Sequence, residues 1–297
     1  MSIKKILLYI SVTVFIMILW AGFILSGTVN GWWHKPIAKQ NTSQSFLAAV
    51  EQELDKQFTG NFAMAIFKDG IVEYEKFHSA GKPVDRNTVF QVASLSKWIS
   101  AFGIMKLAED GKLDLDAPVS RYLTRWQLPQ GEFNNEEVTV RRLLSHTAGL
   151  TDGLGYSGFE TGTPVQSIEQ SLTRAADADE GISGAVYVGI EPGSKFRYSG
   201  GGYTLLQLLV EEVSGQSFDS FMKESVFEPL GMIHSTYVWD EQSPYPLAEF
   251  YNSDGTRSKH RRYTALAAAS LYTSLSDLEL FFQAHLAGKT NESIGRN

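Results

Sequence analysis

The chain contains no cysteine. That excludes disulfide staples, thiolate metal sites, a cysteine nucleophile and the lipid-bearing cysteine of a bacterial lipoprotein. Proline is scarce, with 9 in 297 residues, and the 26 glycines follow no period. Neither a collagen-like array nor a repeat solenoid is encoded. Basic runs are missing and the net charge is −7, so there is no positive stripe of the kind a nucleic-acid binder uses to neutralise phosphates. The six histidines are scattered and no His-Glu-x-x-His occurs, so no metal site and no cofactor is expected. With 43% hydrophobic and 12% aromatic residues, the chain has ample material for a packed core.

The first feature present is a membrane segment. Ile6 to Leu25 is an uncharged apolar run preceded by Lys4 and Lys5. As a helix it would span about 30 Å, the hydrocarbon thickness of a bilayer. It is longer than the apolar core of about 7–15 residues in a cleaved signal, and Leu25-Ser26-Gly27 is a poor cleavage site. Residues 1–27 therefore read as an uncleaved anchor, with a cleaved signal as the alternative. Trp20, Trp32 and Trp33 suit the far interface. The two lysines would stay inside, so the protein is expected in the cell membrane, single-pass, with its remaining residues extracytoplasmic. Residues 28–44 read as a polar tether and 45–297 as the folded domain, long enough for one large core or two lobes.

Along that domain, Leu47, Val50, Leu54 and Phe58 mark one helix face. Two short apolar runs, 61–67 and 71–77, flank Lys68-Asp69-Gly70, a hairpin signal. A further strand is expected near 88–93, and a buried helix over 96–108 closed by Asp110-Gly111. Further helices are read at 139–144, at 203–213 before Gly215, and at 218–227 before Pro229. Ser276-x-x-Glu279 reads as a capping box opening a helix to Ala287. The order implies an α/β (α+β) fold in which an antiparallel sheet is flanked by helices and carries an inserted helical lobe.

Chemistry concentrates at Ser94-Leu95-Ser96-Lys97. Ser at i and Lys at i+3 share one helix face, one turn apart. A serine hydroxyl needs a base within hydrogen-bond reach, and a lysine amine can serve only if burial or positive charge makes it release its proton. Phe90, Val92, Trp98 and Ile99 offer that burial, and the helix N-terminus aims backbone N–H at a developing oxyanion. Taken alone, the pattern also describes a helix cap followed by a solvated lysine.

Four further strings give it context. They are Val89-Phe90-Gln91-Val92-Ala93-Ser94, Leu143-Leu144-Ser145-His146-Thr147-Ala148-Gly149-Leu150, Pro192-Gly193-Ser194-Lys195-Phe196-Arg197-Tyr198-Ser199-Gly200, and Glu228-Pro229-Leu230-Gly231-Met232. In this order the chain resembles the serine beta-lactamase-like family of class C beta-lactamases, penicillin-binding DD-peptidases and related esterases, over about 62–288. The resemblance implies that Ser94 is the acyl-enzyme nucleophile, Lys97 its activating partner and Tyr198 the general base, helped by neighbouring ammonium charge. It gives His146 a loop-shaping role. The implied function is a membrane-tethered serine hydrolase acting on a peptide, lactam or ester carbonyl, with a small-molecule or peptide substrate outside the membrane.

Two departures accompany it. The family has Asn where this chain has Gly200, at a substrate-binding position, which argues against efficient beta-lactam hydrolysis. The third motif, Lys-Thr-Gly or His-x-Gly on a strand, has no counterpart: Lys289-Thr290-Asn291 sits in a polar tail. A C-terminally truncated chain is therefore expected, and with it the alternative of a catalytically impaired family member acting as a cell-envelope binding protein. Gly153 to Gly158 matches a dinucleotide glycine pattern but lacks the preceding strand, and reads as a loop.

Overall fold

The computed structural model describes residues 2–33, 35–68, 70–153 and 155–286, in two compact units, 1–58 and 59–297. In the first, α1 (Ile3–Val29) contains the whole apolar run and is long and apolar enough to cross a membrane. It continues past Leu25 because its last turn is held by side chains: Thr28 Oγ1 donates to the Ile24 carbonyl at 2.9 Å, and Asn30 Nδ2 to the Ser26 carbonyl at 2.8 Å. Residues 28 and 29, read as the start of a tether, are therefore helical. The Trp33 indole folds back onto Gly27, where any Cβ would collide with it, and against Phe23 at 5.6 Å. Helix α2 (Ser43–Gln57) follows, capped by Thr42, whose side chain accepts from Ser45 N–H.

The second unit opens with strands β1 (Phe62–Lys68) and β2 (Ile71–His78), an antiparallel hairpin with an irregularity between Ile66 and Phe67. Gly70 sits at φ +80°, the left-handed backbone such a turn requires; Asp69 lies outside the described residues. Strand β3 (Val89–Gln91) leads through a 3-10 turn (Ala93–Leu95) into α3 (Ser96–Glu109). Next come α4 (Val140–Leu144), β4 (Phe159–Glu160), α5 (Ile168–Thr173) and α6 (Gly200–Ser214).

Helix α7 (Phe218–Met222) does not stop before Pro229. It passes through a π-helical turn (Lys223–Phe227) into α8 (Glu228–Leu230), with Pro229 in the first turn of α8, where its missing N–H leaves no bond unmade. Strands β5 (Phe250–Tyr251), β6 (Arg257–Ser258) and β7 (Arg261–Arg262) precede α9 (Leu266–Ala269), β8 (Tyr272–Ser274) and α10 (Leu275–Leu286). The expected capping box at Ser276 is replaced. Ser274 Oγ accepts from Asp277 N–H, and Glu279 is taken by Arg86 at 2.6 Å. Ala287 and Lys289-Thr290-Asn291 lie outside the described residues.

This is the expected mixture of helices and antiparallel strands. Among the described residues the strands pair two by two: β1 with β2, β3 with β8, β4 with β7 and β5 with β6. The core forms where α3, α6, α7 and α9 meet. Helix α6 is buried from Gly200 through Val210, with Leu205, Leu206, Leu208 and Leu209 in the core and Thr204 and Gln207 hydrogen-bonded. Each such Leu contributes about 1.5–3 kcal/mol. Ile99, Ile104 and Leu107 face it from α3, with Phe218 and Met222 from α7.

Candidate active site

Ser94 stands in the 3-10 turn that joins β3 to α3. The turn is possible because Ala93 takes φ +45°, a left-handed backbone that costs a Cβ-bearing residue about 1 kcal/mol or more. The segment 264–272 holds it there. Val92 N–H donates to the Leu271 carbonyl, and Leu271 N–H donates to Ser96 Oγ, both at 2.9 Å; Ser96 Oγ in turn donates to the Ala93 carbonyl at 2.5 Å. Ser94 is exposed at the head of this clamp, while Ser96 and Lys97 are buried.

The three residues singled out from the sequence come together. Lys97 Nζ lies 3.2 Å from Ser94 Oγ, and the Tyr198 hydroxyl donates to the same oxygen at 2.9 Å. Lys97 also donates to the Ala268 carbonyl at 2.7 Å and lies 5.0 Å and 5.7 Å from the ring centres of Tyr198 and Tyr203. Burial pulls the Lys97 ammonium below its usual range; hydrogen bonding to Tyr198 and the charge of Asp152 oppose that shift. One of the four apolar neighbours expected to enclose Lys97 does not. Trp98 is 37% exposed and packs edge-on against Phe281, so the Lys97 side chain is enclosed by Tyr198, Tyr203 and α9.

Tyr198 reaches the site from the turn that precedes α6, and two groups fix that turn. His146, itself at φ +56°, accepts Ser199 N–H on Nδ1 at 3.2 Å and Arg197 N–H on its carbonyl at 2.7 Å. Its ring lies 4.6 Å from that of Tyr198. Burial and then the Lys97 charge push its pKa down, so the imidazole is held in the neutral form that can accept a hydrogen bond. The string after His146 needs its glycine: Gly149 is at φ +77°, and a Cβ there would strike the Ile190 carbonyl.

Asp152 is the second group and was not singled out from the sequence. It is buried, accepts from Ser199 Oγ at 2.5 Å and takes Gly201 N–H at 3.1 Å. One aspartate in a Gly-rich loop carries no periodic or spacing signal. Gly200 is buried as the first residue of α6, and its carbonyl accepts from Thr204 Oγ1.

No group of three or more His, Cys, Asp or Glu able to hold a metal ion occurs among the described residues. A cavity of about 720 Å³ lies elsewhere, lined by Gln207, Trp239, Thr264, Ser270 and Tyr272 among others; Ser94, Lys97 and Tyr198 do not line it.

A serine, a buried amine and a phenol meeting on one oxygen is a specific arrangement, and similarity to known proteins leads to the same group. The sequence pattern of the family described as Beta-lactamase matches residues 46–296. Penicillin-binding protein 4* of Bacillus subtilis (strain 168) is 34% identical over 212 residues, which is 69% of this chain and 43% of that protein. Protein flp of Staphylococcus aureus (strain COL) is 27% identical over 202 residues, 66% of this chain and 39% of that protein. The chain thus spans less than half the length of these relatives. The octameric penicillin-binding protein homologue from Pyrococcus abyssi superposes with a TM-score of 0.67 at 27% identity, covering 84% of this chain and 56% of that one. With its family pattern matched over most of its length and its fold shared with a penicillin-binding protein homologue, the chain belongs to the beta-lactamase family.

Proposed function

We propose that the protein is a membrane-tethered serine hydrolase that works through an acyl-enzyme on a peptide, lactam or ester carbonyl. The observation that carries this reading is the convergence of Lys97 Nζ and the Tyr198 hydroxyl on Ser94 Oγ, at 3.2 and 2.9 Å. Ser94 Oγ attacks the carbonyl carbon and loses its proton in the same step. Both neighbours donate to that oxygen in the resting site, so one must shed a proton before it can receive the serine's. Burial acts on Lys97 in that direction.

The proton then travels through the Lys97–Tyr198 pair to the departing amine or alcohol, or to the lactam nitrogen, whose bond to the carbonyl carbon breaks as the acyl–Ser94 ester forms. Water reverses the sequence to free the acid. Position 200 supplies no side chain to the site, and the buried Gly200 carbonyl is already taken by Thr204 Oγ1, which weighs against a lactam substrate.

The apolar α1 supports an anchored protein whose site lies outside the cytoplasmic membrane. Hydrolysis of a nitrophenyl ester by the purified protein, lost in Ser94→Ala, tests the chemistry. A folded protein with no esterase activity and no covalent uptake of a penicillin or a fluorophosphonate contradicts it and leaves a silent cell-envelope binding protein. Digestion of the domain by protease added to intact spheroplasts tests the placement, and full protection there contradicts it.

A further inference from the structure

The acceptor that holds Lys97 is a main-chain carbonyl, Ala268 O, on α9. Helix α9 has four residues, Leu266-Ala267-Ala268-Ala269, too short to be stable alone and with little but methyl groups to key its position. Its placement therefore depends on hydrogen bonds from its neighbours. From α3, Ser100 Oγ donates to the Ala267 carbonyl at 3.0 Å and meets the Tyr237 hydroxyl at 2.8 Å.

From α6 comes the side chain of Gln207, only 3% exposed. Its Oε1 accepts Ala267 N–H at 3.3 Å and its Nε2 donates to the Thr264 carbonyl at 3.2 Å. The one amide thus binds the backbone on either side of the N-terminus of α9, at Thr264 and at Ala267, the neighbour of the residue whose carbonyl holds the amine.

We infer that Gln207 is a positioning residue, which fixes α9 so that the Ala268 carbonyl holds Lys97 in register with Ser94. Helix α6 then sets both partners of the nucleophile. Tyr198 stands in the turn that leads into it, and Gln207, two turns beyond Gly200, sets the anchor of Lys97. The inference deepens the proposed function and rests on the role given there to Lys97. The titratable groups that face Lys97 are Tyr198, Tyr203, His146 and Asp152; Gln207 carries no charge and acts on none of them directly.

The test uses the full chain and a fluorophosphonate, with labelling of Ser94 followed against reagent concentration and pH. Gln207→Met keeps the shape and removes both hydrogen bonds. It is expected to slow the acylation step about 10-fold or more, as small misplacements of a catalytic group do, to leave the half-saturating concentration unchanged, and to shift the midpoint of the pH profile. Gln207→Glu can still accept Ala267 N–H but donates to Thr264 O only when protonated, so its labelling should approach the wild-type rate towards acid pH. A purely structural Gln207 would lower thermal stability while leaving rate and pH profile as in the wild type. That result in either folded variant overturns the inference while Ser94 of the wild type still labels, and Gln207→Glu decides the matter if Gln207→Met does not fold. A wild type that takes no label at Ser94 removes the proposed function and this inference together.

Discussion

Lys97 Nζ lies closer to the carbonyl of Ala268, at 2.7 Å, than to the hydroxyl of Ser94, at 3.2 Å. The amine is thus held first by the fold and only second by the group it serves. Replacing it separates the two roles. Lys97→Met is expected to abolish labelling of Ser94 while leaving the melting temperature at or above that of the wild type. Burial lowers the Lys97 pKa below 10.5, so at neutral pH the unfolded chain binds this proton more strongly than the folded one. The resulting cost is present below the folded pKa and is relieved as pH rises through it. Comparing calorimetric midpoints of wild type and variant at pH 7 checks the sign.

Tyr198 is 43% exposed, so its hydroxyl can be removed with little effect on the fold. Tyr198→Phe keeps the ring beside Lys97 and deletes the O–H 2.9 Å from Ser94 Oγ. We expect the acylation rate to fall by about 10²–10⁴, the usual range for a lost proton-transfer group, with the melting temperature nearly unchanged.

His146 predicts an acid limb that is structural in origin. Its pKa is lowered by burial and by Lys97, so the stability it contributes is present above its unfolded value of about 6.5 and is lost as pH falls through the folded value. Protonation removes the Nδ1 acceptor of Ser199 N–H and loosens the turn that carries Tyr198. Denaturant midpoints and labelling rates measured from pH 7 down to pH 5 should fall together. In His146→Asn, whose short side chain tolerates a positive φ, that limb should disappear.

The contact between β2 and α10 predicts a gain. Glu279 is 4% exposed, and its Oε1 has no hydrogen-bond partner. Burial, and then the nearby Glu75, raise its pKa, with Arg86 opposing. A carboxyl raised in this way loses stability as pH climbs from its unfolded value through the folded one. Glu279→Gln should therefore raise the melting temperature at pH 7 and flatten its dependence on pH between 4 and 7, without changing the rate of Ser94 labelling.

The elements with strong local signals were legible in the sequence. The 96–108 helix with its Asp110-Gly111 stop and the Gly215 terminus both rest on a glycine that takes a left-handed backbone, whereas Thr139, read as the first residue of a helix, is its cap. The meeting of the three side chains was legible in part: Ser94 and Lys97 share one turn, but Tyr198 came from family resemblance, because 104 positions of chain separate it from Ser94. Asp152 and Gln207 left no trace, since each acts on backbone groups brought near by packing. Pro229 misled because a π-helical turn ahead of it let the helix restart.

The central claim is that Ser94 is the nucleophile. Its most direct test is mapping by tandem mass spectrometry of the adduct formed when the folded protein is incubated with a fluorophosphonate or a penicillin. The account predicts one adduct, on Ser94, that is lost in Ser94→Ala and formed more slowly in Tyr198→Phe. An adduct on another residue that survives in Ser94→Ala, or none on protein shown to be folded, would contradict it.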